Sequence, residues 1–299
     1  MSEPSAPEEP DNPEEHEQKP KKKKKSDLLP RVITALVALP LLIALIAFAP
    51  HWGFFLFVLL AGGVAIWEFC SILYGDDHPG GRILSVVLGM GLMSMLYFFP
   101  EHFLPALAAV TLALFLYFLF FYREQEEVTL QIGGSLTGII YGGVLLTFVA
   151  MLGRDAGDAG WMWIIMVLNL VWSSDTGAYF AGTYLGKRKL YPAVSPNKSV
   201  EGAVGGLLTT IAFAFGADAI FSHFFADSWT SLTVLQVLIL SIPANLLGQC
   251  GDLAESLIKR AHSVKDSGRI IYGHGGILDR IDALFFAAPW VYYFFLYGV

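Results

Sequence analysis

Charged residues are scarce in this chain of 299 residues, at 15% against 55% hydrophobic. Water-soluble domains carry about a quarter charged residues, so a single soluble core is a poor account of it. The few charges are also unevenly placed. The stretch to about Asp27 is almost purely polar, and nearly everything after it is long apolar blocks broken by short polar loops. A polar tail joined to a lipid-soluble body explains this pattern. The formal net charge of −7 says little about partners, because much of the acid lies between Glu3 and Glu17.

Cysteine is almost absent. Cys70 and Cys250 have neither redox-pair nor metal-site spacing. Both read as packing residues near helix ends on the reducing, cytosolic side. No internal repeat is visible, which disfavours transporter architectures built from repeated halves. The N-terminus is not expected to be a cleavable signal peptide. Its hydrophobic run starts after an acidic, proline-rich segment and Lys21 to Lys25, and is too long for the purpose.

The apolar blocks define the expected fold class: an all-α, polytopic integral membrane protein with about nine transmembrane helices. A membrane helix needs about 20 mostly apolar residues. Nine segments approach this, centred on Leu41, Gly62, Gly91, Leu112, Gly142, Met166, Ala212, Ile239 and Trp290. The glycine pairs Gly62–Gly63, Gly133–Gly134, Gly142–Gly143 and Gly205–Gly206 suit close helix contacts. Residues 1–27 have low hydrophobicity and no periodicity, and are expected to be a disordered cytosolic tail. Its lysine run is expected to act as a topological anchor only, the other reading being contact with anionic lipid headgroups. Residues 28–299 form the membrane-embedded body.

Lysine and arginine orient the chain. With a cytosolic N-terminus and nine crossings, the cytosolic loops hold Arg82, Arg123, Lys187 to Lys189, Lys198, Lys259, Arg260, Lys265, Arg269 and Arg280, and the outer loops only Arg154. The C-terminus then lies on the periplasmic side of a bacterial-type inner membrane. Two cytosolic segments, about 186–201 and 251–280, are longer than simple connections, and long loops in compact folds are often functional.

Polar residues at membrane depth carry the chemistry. Asn245, Gln249, Asp252, Ser256 and Lys259 are spaced 4, 3, 4 and 3 apart and share one helix face. That face begins within the bilayer and emerges at the cytosolic surface, and ionisable groups at such depth usually serve function. The segment around Met166 ends in Asn169, Ser173, Ser174 and Asp175, and apolar residues continue beyond the aspartate to Ala181. An unpaired charge there is costly, so a cation or a lysine from another segment is expected beside Asp175. Asp279 and Asp282 are three apart at the start of the last helix, after a glycine-rich run containing Gly273, His274, Gly275 and Gly276. Such glycines let backbone amides approach a phosphate. Carboxylates facing one cavity repel each other unless a divalent cation joins them, and hard oxygen ligands suit Mg²⁺. Four histidines, His51, His78, His102 and His223, read as surface residues without clear partners. Glu68 lies near the inner end of the second segment, and its place is left open.

Three motifs then acquire a specific meaning. The run Ser256-Leu257-Ile258-Lys259-Arg260, four residues, Lys265-Asp266, then His274-Gly275-Gly276-Ile277-Leu278-Asp279-Arg280-Ile281-Asp282 closely resembles the signature of phosphatidate cytidylyltransferases. Asp175-Thr176-Gly177-Ala178-Tyr179-Phe180 and Ser195-Pro196-Asn197-Lys198-Ser199 resemble its two upstream motifs, in the expected order. The resemblance spans roughly residues 28–299, with one departure: Tyr272 stands where the family pattern has Pro or Gly.

That resemblance implies a multi-helix membrane enzyme, a homodimer, with its site facing the cytosol. It implies metal-dependent transfer of cytidylyl from CTP to phosphatidic acid, releasing pyrophosphate, as a step of phospholipid biosynthesis. By motif, Asp252 and Asp279 are the first-choice metal ligands and, with Lys259, the catalytic residues. Asp175 and Asp282 are second-choice ligands. Ser195, Lys198, Lys259, Lys265 and Arg280 are phosphate contacts. Ser256, Asp266 and His274 occupy signature positions on the substrate side. The implied cofactor is Mg²⁺, with two metal ions, one of them monovalent, as an option. Membrane lipids are expected partners and nucleic acid is not. Two other readings share some of these features. A CTP-dependent kinase of a polyprenol-type lipid needs the same helices, nucleotide and metal. An ion-coupled transporter would use intramembrane Asp175 and Asp252 as a cation path.

Overall fold

The structure, a computed structural model, describes residues 39–75, 78–121, 125–268 and 275–299. The polar tail, Arg123, Arg269, Tyr272 and His274 lie outside the described residues.

Every apolar block becomes helix. In chain order these are α1 (Leu39–Phe48), α2 (His51–Tyr74), α3 (Pro79–Phe98), α4 (Phe103–Phe121), α5 (Val128–Gly138), α6 (Leu145–Asp155), α7 (Gly160–Leu185), α8 (Val200–Phe224), α9 (Val234–Ala261) and α10 (Leu278–Gly298). A π-helical turn over Ile139–Val144 joins α5 to α6, so these run as one apolar stretch. Among the described residues, seven stretches are long and apolar enough to cross a membrane. The two further blocks that the sequence marks out are α1 and α7. Only ten residues of α1 are described as helix. The 26-residue α7 is long enough, but its second half carries Ser173, Ser174, Asp175 and Thr176. One feature departs from all-α: a small antiparallel hairpin, β1 (Lys189–Tyr191) with β2 (Ser195–Ser199).

Packing is pairwise: α7 lies along α8, α9 along α10 and α2 along α3. Large side chains such as Met162, Met166, Leu170, Leu240 and Phe285 are fully buried between them. By contrast, α4 buries only Val110, Leu114 and Phe118 and turns its remaining apolar surface outward, as a peripheral membrane helix does.

Small residues set the close crossings that matter for the site. A Cβ on Gly206 would come within 2.8 Å of the Ser174 carbonyl oxygen, and one on Gly177 within 2.8 Å of that of Gly205. Backbone contact of this kind needs small residues, and it fixes Asp175 of α7 against the start of α8. Gly251 does the same between α9 and α10, where a Cβ would sit 2.6 Å from the Asp282 carbonyl oxygen. Gly62, Gly63, Gly134, Gly142 and Gly143 also meet neighbouring elements. Gly133 faces open space and is not a contact residue.

The bundle has two polar ends. At one, the last turn of α6 meets the far half of α10: Tyr292 donates to Asp155 (2.7 Å), which is held by Arg154 (2.6 and 2.9 Å). At the other lie the ends of α7 and α9, the hairpin and the start of α10. The cysteines differ from expectation: Cys70 is buried as a packing residue, but Cys250 is exposed. Two histidines do have partners, since Gln131 Nε2 lies 2.8 Å from His78 Nε2 and His102 Nδ1 lies 3.1 Å from Glu101.

Candidate active site

The polar face of α9 divides into two parts. Its deeper part is a set of helix staples. Buried Asn245 donates to Ser174 (2.7 Å) and Thr210 (3.0 Å), and Gln249 donates to Asn245 (2.8 Å) and to the Ala203 carbonyl (3.1 Å). These bonds tie α9 to α7 and α8, and they satisfy amides that would be costly in an apolar surround. The outer part, from Asp252 onward, faces other charges. By its rise alone, a 28-residue helix is about 42 Å long, against a hydrocarbon core of about 30 Å. The end bearing Asp252 to Lys259 is therefore free to project beyond the bilayer.

Lys198 of β2 pairs with Asp252 of α9. Asp175, exposed on α7, feels the charges of Lys198 and Asp252 but pairs directly with neither, since Lys198 pairs with Asp252. The hairpin that carries Lys198 is anchored at three points. Glu201 accepts from the Lys187 and Arg188 amides (3.0 and 3.1 Å). Ser199 caps α8 by accepting from Gly202 (3.1 Å). Arg260 reaches back to the Val194 carbonyl (3.4 Å). Asp282 of α10 lies in the field of Asp252, Asp175 and Lys259. The α9–α10 crossing at Gly251 brings Asp252 and Asp282 together.

Beside this group, Lys259 joins Glu255 (2.5 Å) and Asp279 (2.6 Å). The second oxygen of Asp279 accepts from the Ser267 amide (3.0 Å), the Ser267 hydroxyl (2.9 Å) and the Gly276 amide (3.0 Å). Asp279 thus fastens the connection between α9 and α10 while facing Lys259. Glu255 in turn feels the charges of Asp282 and Asp279. It is 1% exposed, and its Oε1 has no hydrogen-bond partner. The charged groups thus form two bonded sets, Lys198–Asp252 and Glu255–Lys259–Asp279, with Asp175 and Asp282 within the electrostatic reach of Asp252.

The remaining sequence candidates are placed as follows. Ser256 donates weakly to Asp252 (3.4 Å). Ser195 is half-buried on β2, while Lys265, Asp266 and Arg280 are exposed at the same end. Two further residues belong to this end, Glu255, which the sequence reading missed, and Glu68, whose place it left open. Glu255 signals itself only by its spacing of four from Lys259, a common helix pair. Glu68 is 2% exposed and accepts from the Ser267 hydroxyl and the Ile277 and Leu278 amides, partners about 200 residues away that no local pattern reveals.

Five carboxylates (Asp175, Asp252, Glu255, Asp279, Asp282) face two ammonium groups (Lys198, Lys259). This excess of hard oxygen donors is the chemistry that Mg²⁺ takes. Among the described residues, no three such groups stand close enough together to form a ready-made cation cage. The donor types fit a metal ion that also binds phosphate oxygens, as Mg²⁺ does when it keeps few protein ligands.

The family model described as the cytidylyltransferase family matches residues 29–297. The chain belongs to the cytidylyltransferase family. Individual relatives agree. This cytidylyltransferase is 31% identical over 271 residues to the phosphatidate cytidylyltransferase of Bacillus subtilis, covering 89% of this chain and 97% of the relative. It is 34% identical over 261 residues to that of Staphylococcus aureus, covering 83% and 94%. Over 135 residues it is 46% identical to that of Haemophilus influenzae, covering 45% and 46%. The matched span of this cytidylyltransferase takes in every described charged residue of the site.

Proposed function

We propose that this chain transfers the cytidylyl group of CTP to phosphatidate, giving CDP-diacylglycerol and pyrophosphate, at the helix ends that bear Asp252, Lys259 and Asp279. The observation that carries the reading is the pairing of Lys198 with Asp252 and of Lys259 with Glu255 and Asp279, in a family of cytidylyltransferases and with Asp175 and Asp282 at the same end, so that three separated helices and a hairpin supply the charges.

A phosphate oxygen of phosphatidate attacks the α-phosphorus of CTP. A new P–O bond forms, the bond from the α-phosphorus to the bridging oxygen breaks, and its electron pair leaves with pyrophosphate. The nucleophile is already anionic near neutral pH, so no strong base is required. The obstacle is the meeting of two anions. Lys198 and Lys259 lower it by offering ammonium groups to phosphate oxygens, and exposed Lys265 and Arg280 add positive charge at the mouth. Pairing with Asp252 and Asp279 holds the two lysines in place before substrate arrives. Asp252, Asp279, Asp175 and Asp282 are the groups that would hold Mg²⁺. When bound, that ion supplies neutralisation of phosphate charge.

Placing these groups where apolar helices end lets one substrate enter from lipid and the other from water. The lysine and arginine distribution supports a cytosolic placement of this end, in a protein of a bacterial-type inner membrane. The family resemblance adds a homodimer, which the mass of the purified protein in detergent tests.

Incubation of purified protein with radiolabelled CTP, phosphatidate and Mg²⁺ is the direct test. A CDP-lipid and pyrophosphate are expected. CDP with a phosphorylated lipid would replace this reading by a lipid kinase, and transport without nucleotide consumption would replace it by a transporter.

A further inference from the structure

We infer that Glu68 is a positioning residue for the reaction: from the last third of α2, its carboxylate clasps both described ends of the α9–α10 connection and thereby sets Asp279 against Lys259. Four observations carry this.

The first is capping. Helix α10 begins at Leu278, and the residue in its N-cap place is Ile277, which offers no side-chain cap. The first amides of a helix have no partner within it. Here the Ile277 amide donates to Glu68 Oε1 (3.2 Å) and the Leu278 amide to Glu68 Oε2 (2.8 Å). A carboxylate from α2 thus does what a local Ser or Asp does in most helices, and its charge suits the positive end of the helix dipole.

The second is the link to the site. The Ser267 hydroxyl lies 3.2 Å from Glu68 Oε2 and 2.9 Å from Asp279 Oδ2. Its single hydrogen stands between the two carboxylates, so a shift of Glu68 shifts the group that orients Asp279. The third is space. A Cβ on Gly268 would meet Glu68 first, with Cδ at 2.8 Å and Cγ at 3.1 Å, and one on Gly276 would lie 2.8 Å from Glu68 Cδ. The glycines around the carboxylate let two backbone segments close on it. The fourth is cost. Glu68 is 2% exposed, and among the described residues its donors are an uncharged hydroxyl and two backbone amides. A buried carboxylate held by neutral amides is expensive where apolar packing would serve, unless its acceptor function is needed.

The test compares Glu68→Gln with Glu68→Met in full-length protein, because both replacements have about the same length and only glutamine keeps an acceptor oxygen, which serves one side of the clasp. If the clasp acts as inferred, Glu68→Gln, which keeps one acceptor, loses clearly less activity than Glu68→Met. Glu68→Met loses about ten- to a hundredfold in kcat with KM for CTP nearly unchanged, and amide exchange at residues 276–278 accelerates about tenfold or more. Equal activity of the two variants, or unchanged exchange in Glu68→Met, overturns the inference. Gly268→Ala supplies a second route should Glu68→Met fail to accumulate. The added methyl displaces the carboxylate, so exchange at 276–278 should rise and kcat fall. In a Glu68→Gln background the same substitution should cost a different amount than in the wild type. Strict additivity, or unchanged exchange in Gly268→Ala, overturns it equally. The kinetic arm rests on the cytidylyl-transfer reading, which wild-type product formation tests by itself. The exchange arm does not, so the two fail separately.

Discussion

Lys259 Nζ donates to Asp279 Oδ1 across 2.6 Å, joining the last turn of α9 to the first turn of α10. The same ammonium lies 2.5 Å from Glu255 one turn earlier. The lysine and aspartate side chains are 12% and 11% exposed. Removing one partner of a buried charge pair leaves the others uncompensated, at a cost of about 3–5 kcal/mol. Lys259→Met is therefore expected to lower thermal stability and turnover together, read by tryptophan fluorescence on heating and by CTP consumption. A Lys259→Met protein as stable as wild type would show that the pair does not hold the two helix ends together.

Asp252 should behave differently. Its pair with Lys198 is about 30% exposed on both sides, and open pairs contribute about 1 kcal/mol or less. Asp252→Asn is expected to leave membrane insertion and unfolding temperature nearly unchanged while abolishing most turnover. Near-normal CTP incorporation by this variant would remove Asp252 from the reaction.

Metal dependence has two separate readouts. Chelation of divalent cations is expected to stop pyrophosphate release, and added Mg²⁺ to restore it. Binding to the folded protein alone also raises stability by mass action. Mg²⁺ should therefore raise the unfolding temperature of the wild type more than that of Asp175→Asn or Asp282→Asn. An equal rise in all three would dismiss these carboxylates as ligands.

The crossing of α9 and α10 gives a test of geometry. A Cβ on Gly251 would press to 2.6 Å from the Asp282 backbone oxygen, and backbone cannot turn aside as a flexible side chain can. Gly251→Ala is expected to cost about 1–3 kcal/mol, the usual range for overpacking. It should also reduce turnover, because it moves Asp252 relative to Asp282. Unaltered turnover would mean that their relative placement is not critical.

Much of this architecture is legible without coordinates, and for definite reasons. Apolar runs of membrane length can only become helix in lipid, where backbone groups must bond within their own segment. The nine block centres accordingly fall in helices. The face of α9 was readable because helical spacing is a local property. Its division was not, since Asn245 and Asp252 differ in what stands opposite them and not in their own pattern. The hairpin carrying Ser195 and Lys198 escaped an all-α reading because three- and five-residue strands leave almost no periodic trace.

Sequence by itself determined the helices, their order, the sided distribution of lysine and arginine, and the acids and bases available for chemistry, because each is a property of neighbouring residues or of composition. Tertiary structure alone decided which of those groups meet: Lys198 with Asp252, Lys259 with Asp279, and Glu68 with the amides of Ile277 and Leu278. Such meetings depend on how closely glycine-lined helices approach one another, and that distance belongs to the packed bundle and not to any single stretch of chain.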